Sequence, residues 1–507
     1  MITAKRVLRK AQRQAYATHR QKIAKEIMKA SGTDTKLYYK LVNRQRNHLT
    51  INTKVLKMDE KIANSHDDIL NIWKEHFQNL ATPNMDDEFS SEKLEQAILQ
   101  NKVIEEMEIN NGNDIEVVTT KEVENAILKL KNGKAADEDG IMAEHYKHAP
   151  DEILPFIVHI LNIVIEYMDV PVFLKSGVLT PILKKNKDKT NPSNYRGITV
   201  NKIFSKILQS ILKDKVDVEI KSIQNILQRG FTEGVSSMGA AFVVSETIME
   251  CINTKKLLIL ITLDAEKAFD KLDHEILFNK LYHYGIKGKL WILLRNLYRG
   301  MTVKVKWEDN QTEPIDMLQG IQQGAKLSTS LYKCYNNAIL DSILNSGLGC
   351  HIGNIPVSAP TCADDIAILA NSTEEAQQIL DIVNHHTKRE LVKINPNKSE
   401  AVFFNTRSKH TGNDEIKFGN SNISRKNCTK HLGLQRTENN KVDITERIQT
   451  GRATIYSLLG AGFHVRRGFS PIVAHKLWRT YAIPRSLYGL ELMFTTKIHL
   501  SLHTGRS

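Results

Sequence analysis

The stretch TCADDIAILA, Thr361–Ala370, places two adjacent aspartates, Asp364 and Asp365, directly before an apolar run. This pattern predicts a turn at residues 363–365 and then a strand that is buried in a sheet. Carboxylates beside such a strand lose part of their hydration, which costs free energy unless positive charge compensates them. The two aspartates are therefore candidates for a site that binds cations.

A second stretch, KLLILITLD, ends in a similar way about 100 residues earlier in the chain, at Asp264. Residues 257–263 form a nearly continuous apolar run, which is typical of a strand buried on both faces. Two Mg²⁺ ions roughly 3.5–4 Å apart would compensate Asp264, Asp364 and Asp365, and that arrangement serves in-line phosphoryl or nucleotidyl transfer. The competing interpretation is that the adjacent pair consists of solvated turn residues.

Composition narrows the class of protein. The chain has 507 residues, of which 41% are hydrophobic and 25% charged, as in ordinary globular proteins. No apolar run approaches the roughly 20 residues that span a bilayer, so we expect no membrane association. The cysteines form no Cys-x-x-Cys pair, which indicates a reducing, intracellular compartment and no structural zinc site. They are Cys251, Cys334, Cys350, Cys362 and Cys428.

The net charge of +13 is unevenly distributed. Residues 1–50 hold 13 Lys/Arg and two acids, and residues 441–507 hold ten Lys/Arg and three acids, so the two ends carry +11 and +7 and the middle carries 13 − 11 − 7 = −5. Basic ends on a slightly acidic centre suit a protein that holds a polyanion beside a cation-binding site. Solvated helix faces are the alternative explanation.

The order of the predicted elements favours an α+β fold. Alternation predicts a strand at residues 302–307, helical periodicity predicts amphipathic helices at residues 119–133 and 374–390, and SEAVFF (residues 399–404) is another predicted strand. Residues 151–168 are apolar nearly all round and predict a buried helix. Strands and helices mix without a regular βαβ repeat, which disfavours a doubly wound sheet.

Charge and helical periodicity predict two regions at the start of the chain. Residues 1–82 are predicted to be a basic helical extension and residues 83–117 an acidic linker.

Eight blocks between about Lys121 and Gly433 occur in the order of one known family. They are LKNGKAADEDGI, GVLTPILKKNKDKTNPSNYRGITVNKIFSKIL, QRGFTEGVSS, LDAEKAFDKLDH, QGIQQGAKLS, CADD, INPNKSE and KHLG. On these blocks the chain resembles the reverse transcriptases of non-LTR (LINE-type) retrotransposons. The resemblance implies a right-hand polymerase, with fingers and palm at 118–435 and a partial thumb at 436–507.

The resemblance implies RNA-directed DNA polymerase activity, with two Mg²⁺ ions (or Mn²⁺) as cofactors and an RNA template, a DNA primer and dNTPs as partners. Location in the nucleus and cytoplasm is implied as well. In this family Asp264, Asp364 and Asp365 would be the catalytic residues that hold the metals, with Asp365 the weakest ligand. The thumb arginines Arg452, Arg466 and Arg467 would meet the primer–template backbone.

The remaining implied roles concern the nucleotide. Lys184 and Arg196 would contact the triphosphate, and Lys398 would give a proton to pyrophosphate. Phe269 would lie under the sugar and exclude a 2′-hydroxyl, and Gln323 and Gly324 would lie against the template base and nucleotide. Solvated cations and an ordinary core phenylalanine are the competing interpretations. Asp270 and Asp273 are not expected to be ligands, and Asp270 is expected to accept hydrogen bonds at a helix start.

Several positions depart from the family pattern. Cys362 replaces an aromatic residue, Ala325 and Lys326 replace Asp or Cys followed by Pro, and residues 137–138 replace Gly-Pro. These departures suggest a drifting copy, and the chain reads as an internal fragment of a retrotransposon polyprotein. The rival functions are a catalytically decayed nucleic-acid-binding remnant and, with less support, a nucleotide cyclase or RNA-templated RNA polymerase.

Overall fold

The computed structural model describes residues 2–46, 53–84, 89–185, 187–405, 415–439, 444–459, 461–463 and 468–492. The chain forms two compact units: the first comprises residues 1–51 and 440–507, and the second residues 52–439. The second unit combines sheets and helices without a βαβ repeat, which confirms the predicted α+β class.

The helices are α1 (Ile2–Thr33), α2 (Thr35–Arg46), α3 (His66–Ala81), α4 (Glu92–Asn111), α5 (Thr120–Leu128), α6 (Ala143–Lys147), α7 (Leu154–Tyr167), α8 (Val172–Lys175), α9 (Ile203–Ile223), α10 (Ser237–Asn253), α11 (His274–His283), α12 (Gly288–Tyr298), α13 (Ser328–Asn345), α14 (Thr373–Arg389), α15 (Thr445–Leu459), α16 (Pro471–Leu477) and α17 (Ile483–Leu487).

The strands are β1 (Leu56–Met58), β2 (Lys61–Ala63), β3 (Ser176–Leu183), β4 (Tyr195–Asn201), β5 (Leu258–Asp264), β6 (Thr302–Trp307), β7 (Asn310–Gln311), β8 (Ile315–Asp316), β9 (His351–Ile352), β10 (Ile355–Pro356), β11 (Thr361–Cys362), β12 (Asp365–Ala370), β13 (Glu400–Phe404), β14 (Lys417–Phe418), β15 (Ser421–Asn422), β16 (Ser424–Arg425), β17 (Cys428–His431) and β18 (Leu434–Thr437).

The central sheet has the strand order β11-β12-β5-β13-β16, and its pairs are antiparallel except β13 with β16. Both faces of β5 and β12 are covered: α13 and α14 pack on one face, and α10 packs on the other. This burial explains why the two stretches are continuously apolar rather than alternating. The predicted strands at residues 257–263 and after Asp365 are confirmed.

The second sheet has the order β4-β3-β6-β7, with β8 also paired to β6. One face of it packs on α3, where Trp73 and Phe77 meet Leu179, Tyr195 and Trp307. These buried aromatic side chains form a hydrophobic core between α3 and the sheet. Residues 53–82 therefore belong to the second unit, and the predicted basic extension at 1–82 is too long.

In the first unit, α1 and α2 pack with α15 and α16. Ile27 on α1 and Val42 on α2 are fully buried in this core, together with Leu477 on α16. Residues 3–20 of α1 are exposed and carry most of its basic side chains. The N-terminal helices thus share one unit with the segment after residue 439.

The predicted acidic linker at 83–117 is wrong over most of its described length. Residues 92–111 form α4, which buries Ala97 and Ile104 against the main helical core. One of its acidic residues pairs with the next helix layer: Glu105 contacts Arg299 and, at 3.6 Å, Arg295 on α12. Part of the acidity that suggested a linker therefore serves ion pairs between helices. Asp86, Asp87 and Glu88 lie outside the described residues.

The prediction of a fully buried helix at 151–168 holds for only one side of α7. Leu161 is buried, whereas Phe156 and Tyr167 are each 68% exposed. In the part of the chain that the structure describes, we find no helix with the length and apolar character needed to cross a membrane.

Candidate active site

The three predicted acidic residues meet at one end of the central sheet. Asp264 ends β5, Asp365 begins β12, and the two are direct partners across the antiparallel pair. Residues opposite each other in such a pair project on the same side of the sheet. Asp364 lies in the intervening turn between β11 and β12, immediately before Asp365. Two stretches about 100 residues apart therefore place their carboxylates together.

The three carboxylates influence one another electrostatically. Desolvation, followed by repulsion from Asp364 and Asp264, raises the pKa of Asp365 to about 6. Desolvation also raises the pKa of Asp364, and Asp264 adds to that shift. Repulsion of this kind is what an adjacent cation would relieve.

The segment of residues 394–399 wraps around Asp264. The backbone N–H of Asn395 donates to the Asp264 carbonyl oxygen at 2.9 Å, and the Asp264 N–H donates to Ser399 Oγ at 3.3 Å. Lys398 Nζ lies 3.6 Å from Asp264 Oδ2, with 62% of its side chain exposed. The INPNKSE block thus fixes the strand end and adds a cation on a long side chain beside the acids.

A group of cations lies beside the acids, as the resemblance implied. Desolvation lowers the pKa of Lys184, and the nearby charges of Arg196 and Lys398 lower it further. Arg196, on β4, is exposed and close enough to Asp364 to influence the pKa of that carboxyl. The structure therefore brings Lys184, Arg196 and Lys398 to the same side of the molecule as the three aspartates.

Lys267 is a further cation that sequence reasoning missed. Desolvation lowers its pKa, and repulsion from Lys271 and Lys184 contributes to the shift. It lies three residues after Asp264 in the turn that follows β5, with a positive φ of 51°. Its place inside the DAEKAFD block was the only available signal, because a single lysine shows no periodicity.

Phe269 is half-buried and stacked on another ring. Its ring lies 4.4 Å from that of Tyr332, at an interplanar angle of 11°, and Phe231 meets it edge-on at 6.1 Å. Tyr332 is buried on α13, and desolvation, followed by the charges of Asp364 and Asp365, raises its pKa well above the ordinary value. Phe269 is therefore held in a fixed plane close to the acids.

The predicted role of Asp270 needs revision. Gln323 Nε2 donates to Asp270 Oδ1 at 3.0 Å, so each side chain already has a partner. The residue that caps the following helix, α11, is Asp273, which accepts from the Ile276 N–H at 2.9 Å. The expectation that Asp270 accepts at a helix start is wrong, because Asp273 occupies that position.

Gly324 lies close to the second sheet. Its φ is +110°, and a Cβ there would be 3.1 Å from the Thr199 carbonyl oxygen. The Thr199 N–H donates to the Gln323 carbonyl at 3.0 Å. Both the backbone angle and the close approach favour glycine at this position.

The three predicted metal ligands do not form a preformed cage. Within the described residues, no group of three His, Cys, Asp or Glu side chains is arranged to hold a metal ion. The chemistry of the donors nevertheless suits a hard divalent cation, because the three carboxylates offer oxygen ligands and the pKa values of Asp364 and Asp365 are raised in part by their acidic neighbours. Of the predicted thumb arginines, Arg452 lies on α15, whereas Arg466 and Arg467 lie outside the described residues.

Comparison with known proteins identifies the family. The profile of the family "Reverse transcriptase (RNA-dependent DNA polymerase)" matches residues 182–435, which is half of the chain and includes the three aspartates. The chain belongs to this reverse transcriptase family.

The curated relatives are proteins of retrotransposable elements. The Pol polyprotein of the type-1 element R2 of Popillia japonica is 25% identical over 65% of this chain and 48% of its own length. The probable RNA-directed DNA polymerase of transposon BS of Drosophila melanogaster is 24% identical over 63% of this chain and 36% of its own length. The polymerase of the mobile element jockey of Drosophila melanogaster is 25% identical over 58% and 32%.

These relatives confirm the resemblance to the reverse transcriptases of non-LTR elements. The chain spans about a third to a half of their lengths. A solved apo telomerase from Candida tropicalis, truncated from its C-terminal domain, is 12% identical and covers 54% of this chain and 56% of that chain, with a TM-score of 0.38. That score is too low for a detailed comparison of the two folds.

Proposed function

We propose that this chain is an RNA-directed DNA polymerase, which transfers a nucleotidyl group from a dNTP to the 3′-hydroxyl of a primer. One observation carries the proposal: Asp264 and Asp365 are direct cross-strand partners, with Asp364 in the adjoining turn. Three neighbouring carboxylates facing a group of cations suit a reaction in which a triphosphate must be bound and pyrophosphate must leave.

Asp264, Asp364 and Asp365 would hold two divalent ions, Mg²⁺ or Mn²⁺, because hard cations prefer carboxylate oxygen. When bound, such ions stabilise the charge that develops on the attacking and leaving oxygens. The contribution of the chain itself is rigidity: Leu263 and Ile366, which flank the paired aspartates, are each 3% exposed. The buried strands therefore fix the positions from which the carboxylates project.

Lys184 and Arg196 would bind the triphosphate, since Lys184 directly follows β3, Arg196 lies on β4, and both carry donors for phosphate oxygens beside the acids. Lys398, next to Asp264, would protonate or neutralise the pyrophosphate that departs. Phe269, fixed in plane by Tyr332, would lie under the sugar and reject a 2′-hydroxyl. Gln323, whose side-chain amide is held by Asp270, would face the template base.

In the terms of right-hand polymerases, the central sheet would be the palm, the second sheet the fingers, and α15–α17 the start of the thumb. The partners would then be an RNA template, a DNA primer and dNTPs. Cysteines without a Cys-x-x-Cys pair suit a reducing compartment, and we infer the nucleus and cytoplasm.

The exposed first half of α1 would bind the phosphate backbone, because residues 3–20 project basic side chains into solvent. Deleting residues 1–50 would also remove core residues such as Ile27, so substitution is the cleaner experiment. Replacing Lys5, Arg6, Arg9 and Lys10 with glutamine should weaken RNA binding. The log–log salt slope should fall by about 0.7 for each single-strand phosphate that the protein no longer neutralises. An unchanged slope would mean that these residues form only a solvated face.

Primer extension tests the proposal. Purified protein is given an RNA template with an annealed DNA primer, the four dNTPs and Mg²⁺, and RNA binding is measured in parallel. We expect template-dependent extension with dNTPs and little with NTPs. RNA binding without extension would instead identify a decayed nucleic-acid-binding remnant, and extension with NTPs alone would identify an RNA polymerase.

A further inference from the structure

The turn that carries Asp364 has an unusual backbone. Ala363, between Cys362 and Asp364, has a φ of +62°, in the left-handed region that L residues other than glycine seldom adopt. A residue keeps such a conformation only when the surrounding structure holds it there. Because Asp364 follows directly, whatever holds Ala363 also sets the direction of the first turn carboxylate.

The side-chain amide of Gln228 holds Ala363 at both of its backbone polar groups. Gln228 Oε1 accepts the Ala363 N–H at 3.0 Å and the Gly230 N–H at 2.8 Å. Gln228 Nε2 donates to the Ala363 carbonyl oxygen at 3.4 Å. Gln228 is 3% exposed, so these bonds form away from competing water.

The backbone around Gln228 continues the same contact. The Thr361 N–H donates to the Leu227 carbonyl at 2.9 Å, and the Arg229 N–H donates to the Thr361 carbonyl at 2.7 Å, so the two segments form a short parallel bridge. Glycine at position 230 allows this close approach, because a Cβ there would lie 2.2 Å from the Ala363 nitrogen. The segment Leu227–Gly230 therefore lies directly against the turn, with no room for a side chain at residue 230.

We propose that Gln228 is a positioning residue for nucleotidyl transfer, which it serves by fixing the backbone of Ala363 and so the direction of Asp364 and Asp365. The inference rests on the proposed polymerase function. Gln228 touches neither nucleotide nor primer in this assignment and acts only through the turn. It belongs to the QRGFTEGVSS block, whose connection with the aspartates was not visible in the sequence because 133 residues separate Gln228 from Thr361.

The first experiment replaces Gln228 with methionine, which keeps the length and volume of the side chain but removes its hydrogen bonds. A displacement of the reacting groups by about 1 Å can cost roughly 100-fold in rate. We therefore expect kcat for primer extension to fall by about 10- to 100-fold, with the KM for dNTP and the affinity for primer–template unchanged. Gln209→Met is the matched control, because Gln209 is also 3% exposed and its amide donates to Ser205 on its own helix.

The positioning role would be overturned if Gln228→Met and Gln209→Met lost kcat equally. It would also be overturned if the loss of kcat were proportional to the loss of folded protein. A rise in KM with kcat preserved would overturn it as well, since that result would place Gln228 in substrate binding.

The second experiment measures Mn²⁺ binding by water proton relaxation without nucleic acid or nucleotide. Gln228→Met should weaken binding and Gln209→Met should not. If the parent protein fails to extend primers but binds Mn²⁺, and Gln228→Met weakens that binding, the polymerase proposal is wrong, and Gln228 positions the aspartates for cation binding without a role in nucleotidyl transfer. If Gln228→Met leaves Mn²⁺ affinity unchanged, or if the parent binds no Mn²⁺, the positioning role is wrong.

Discussion

The central sheet and the second sheet supply charges of opposite sign in different ways. The acids lie at the ends of strands whose flanking residues are buried, and two of them are locked opposite each other in register. The cations lie at the end of β3 and β4 where a loop joins the two strands; Arg196 is exposed there, and Lys184 Nζ donates a long hydrogen bond of 3.3 Å to the Ser193 carbonyl. Carboxylates that must share metal ions need fixed geometry, whereas cations that attract a flexible triphosphate tolerate motion.

The difference predicts unequal sensitivity, with the largest effect at the central sheet. Asp264→Asn or Asp364→Asn should lower the rate of primer extension by at least about 10²–10³-fold, because each removes a preorganised charge at the reacting centre. RNA binding, measured by filter retention, should stay close to that of the parent. Asp316→Asn, at an exposed aspartate on β8, is the control and should be active. If both site variants extended primers at the parental rate, the proposal that the central sheet carries the catalytic aspartates would be wrong.

A smaller effect is expected at the second sheet. Lys184→Ala or Arg196→Ala should raise the KM for dNTP by about 10-fold, in line with the loss of one charge-assisted hydrogen bond that is partly screened by solvent. The kcat should change less than the KM. Steady-state kinetics at several dNTP concentrations separate the two, with Lys417→Ala, at an exposed lysine on β14, as control. A fall in kcat as large as that expected for Asp364→Asn would show that these cations need the same fixed geometry as the acids.

The proposed sugar selection concerns Phe269, which follows β5 and is stacked on Tyr332. Phe269→Val should raise NTP incorporation relative to dNTP by about 10-fold or more, as expected when a pocket gains room for a small group. Tyr332→Leu should give a weaker shift of the same sign, since it removes the ring on which Phe269 is stacked. An unchanged ratio in both variants would assign Phe269 to core packing alone.

The sequence predicted the elements that have a strong hydrophobic period. Their apolar residues alternate, recur at helical spacing or run continuously, and each of these patterns can be recognised in the sequence. The elements found in this way are β5, β6, β12, β13 and α14. The junction of β5 with its aspartate was found for the same reason. The mistaken linker at 83–117 has the opposite cause, since α4 buries only a narrow apolar stripe and the acids that pair with α12 look like solvated charge.

The site residues that sequence reasoning missed are single polar side chains whose partners are distant in the chain. Gln228 has no periodic signal, and its bonds to Ala363 exist only after β11 has been placed in the sheet. Lys267 is likewise one lysine among many until the turn after β5 brings it near Lys184. The sequence analysis placed Asp270 at the helix start, and only the observed start of α11 shows that Asp273 is the cap and that Asp270 is the partner of Gln323.

The smallest expected effect concerns Cys362, the residue of β11 that faces Asp365 across the turn. Cys362 is half-exposed, so a larger side chain has a path toward solvent. Cys362→Tyr should tighten primer binding by about 2- to 10-fold, the range expected for one aromatic contact, and leave the KM for dNTP unchanged.

Primer affinity and processivity are measured at matched folded concentration to check that gain. Cys428→Tyr is the control, because it makes the same exchange on β17, away from the turn. The opposing expectation is that tyrosine overfills the site, which costs about 1–3 kcal/mol and would lower the melting temperature together with extension. If Cys362→Tyr brings no gain while the fold stays intact, β11 seats no primer. The departure with consequences for activity would then be the one at Ala325 and Lys326, after the Gln323–Gly324 pair that packs on the second sheet.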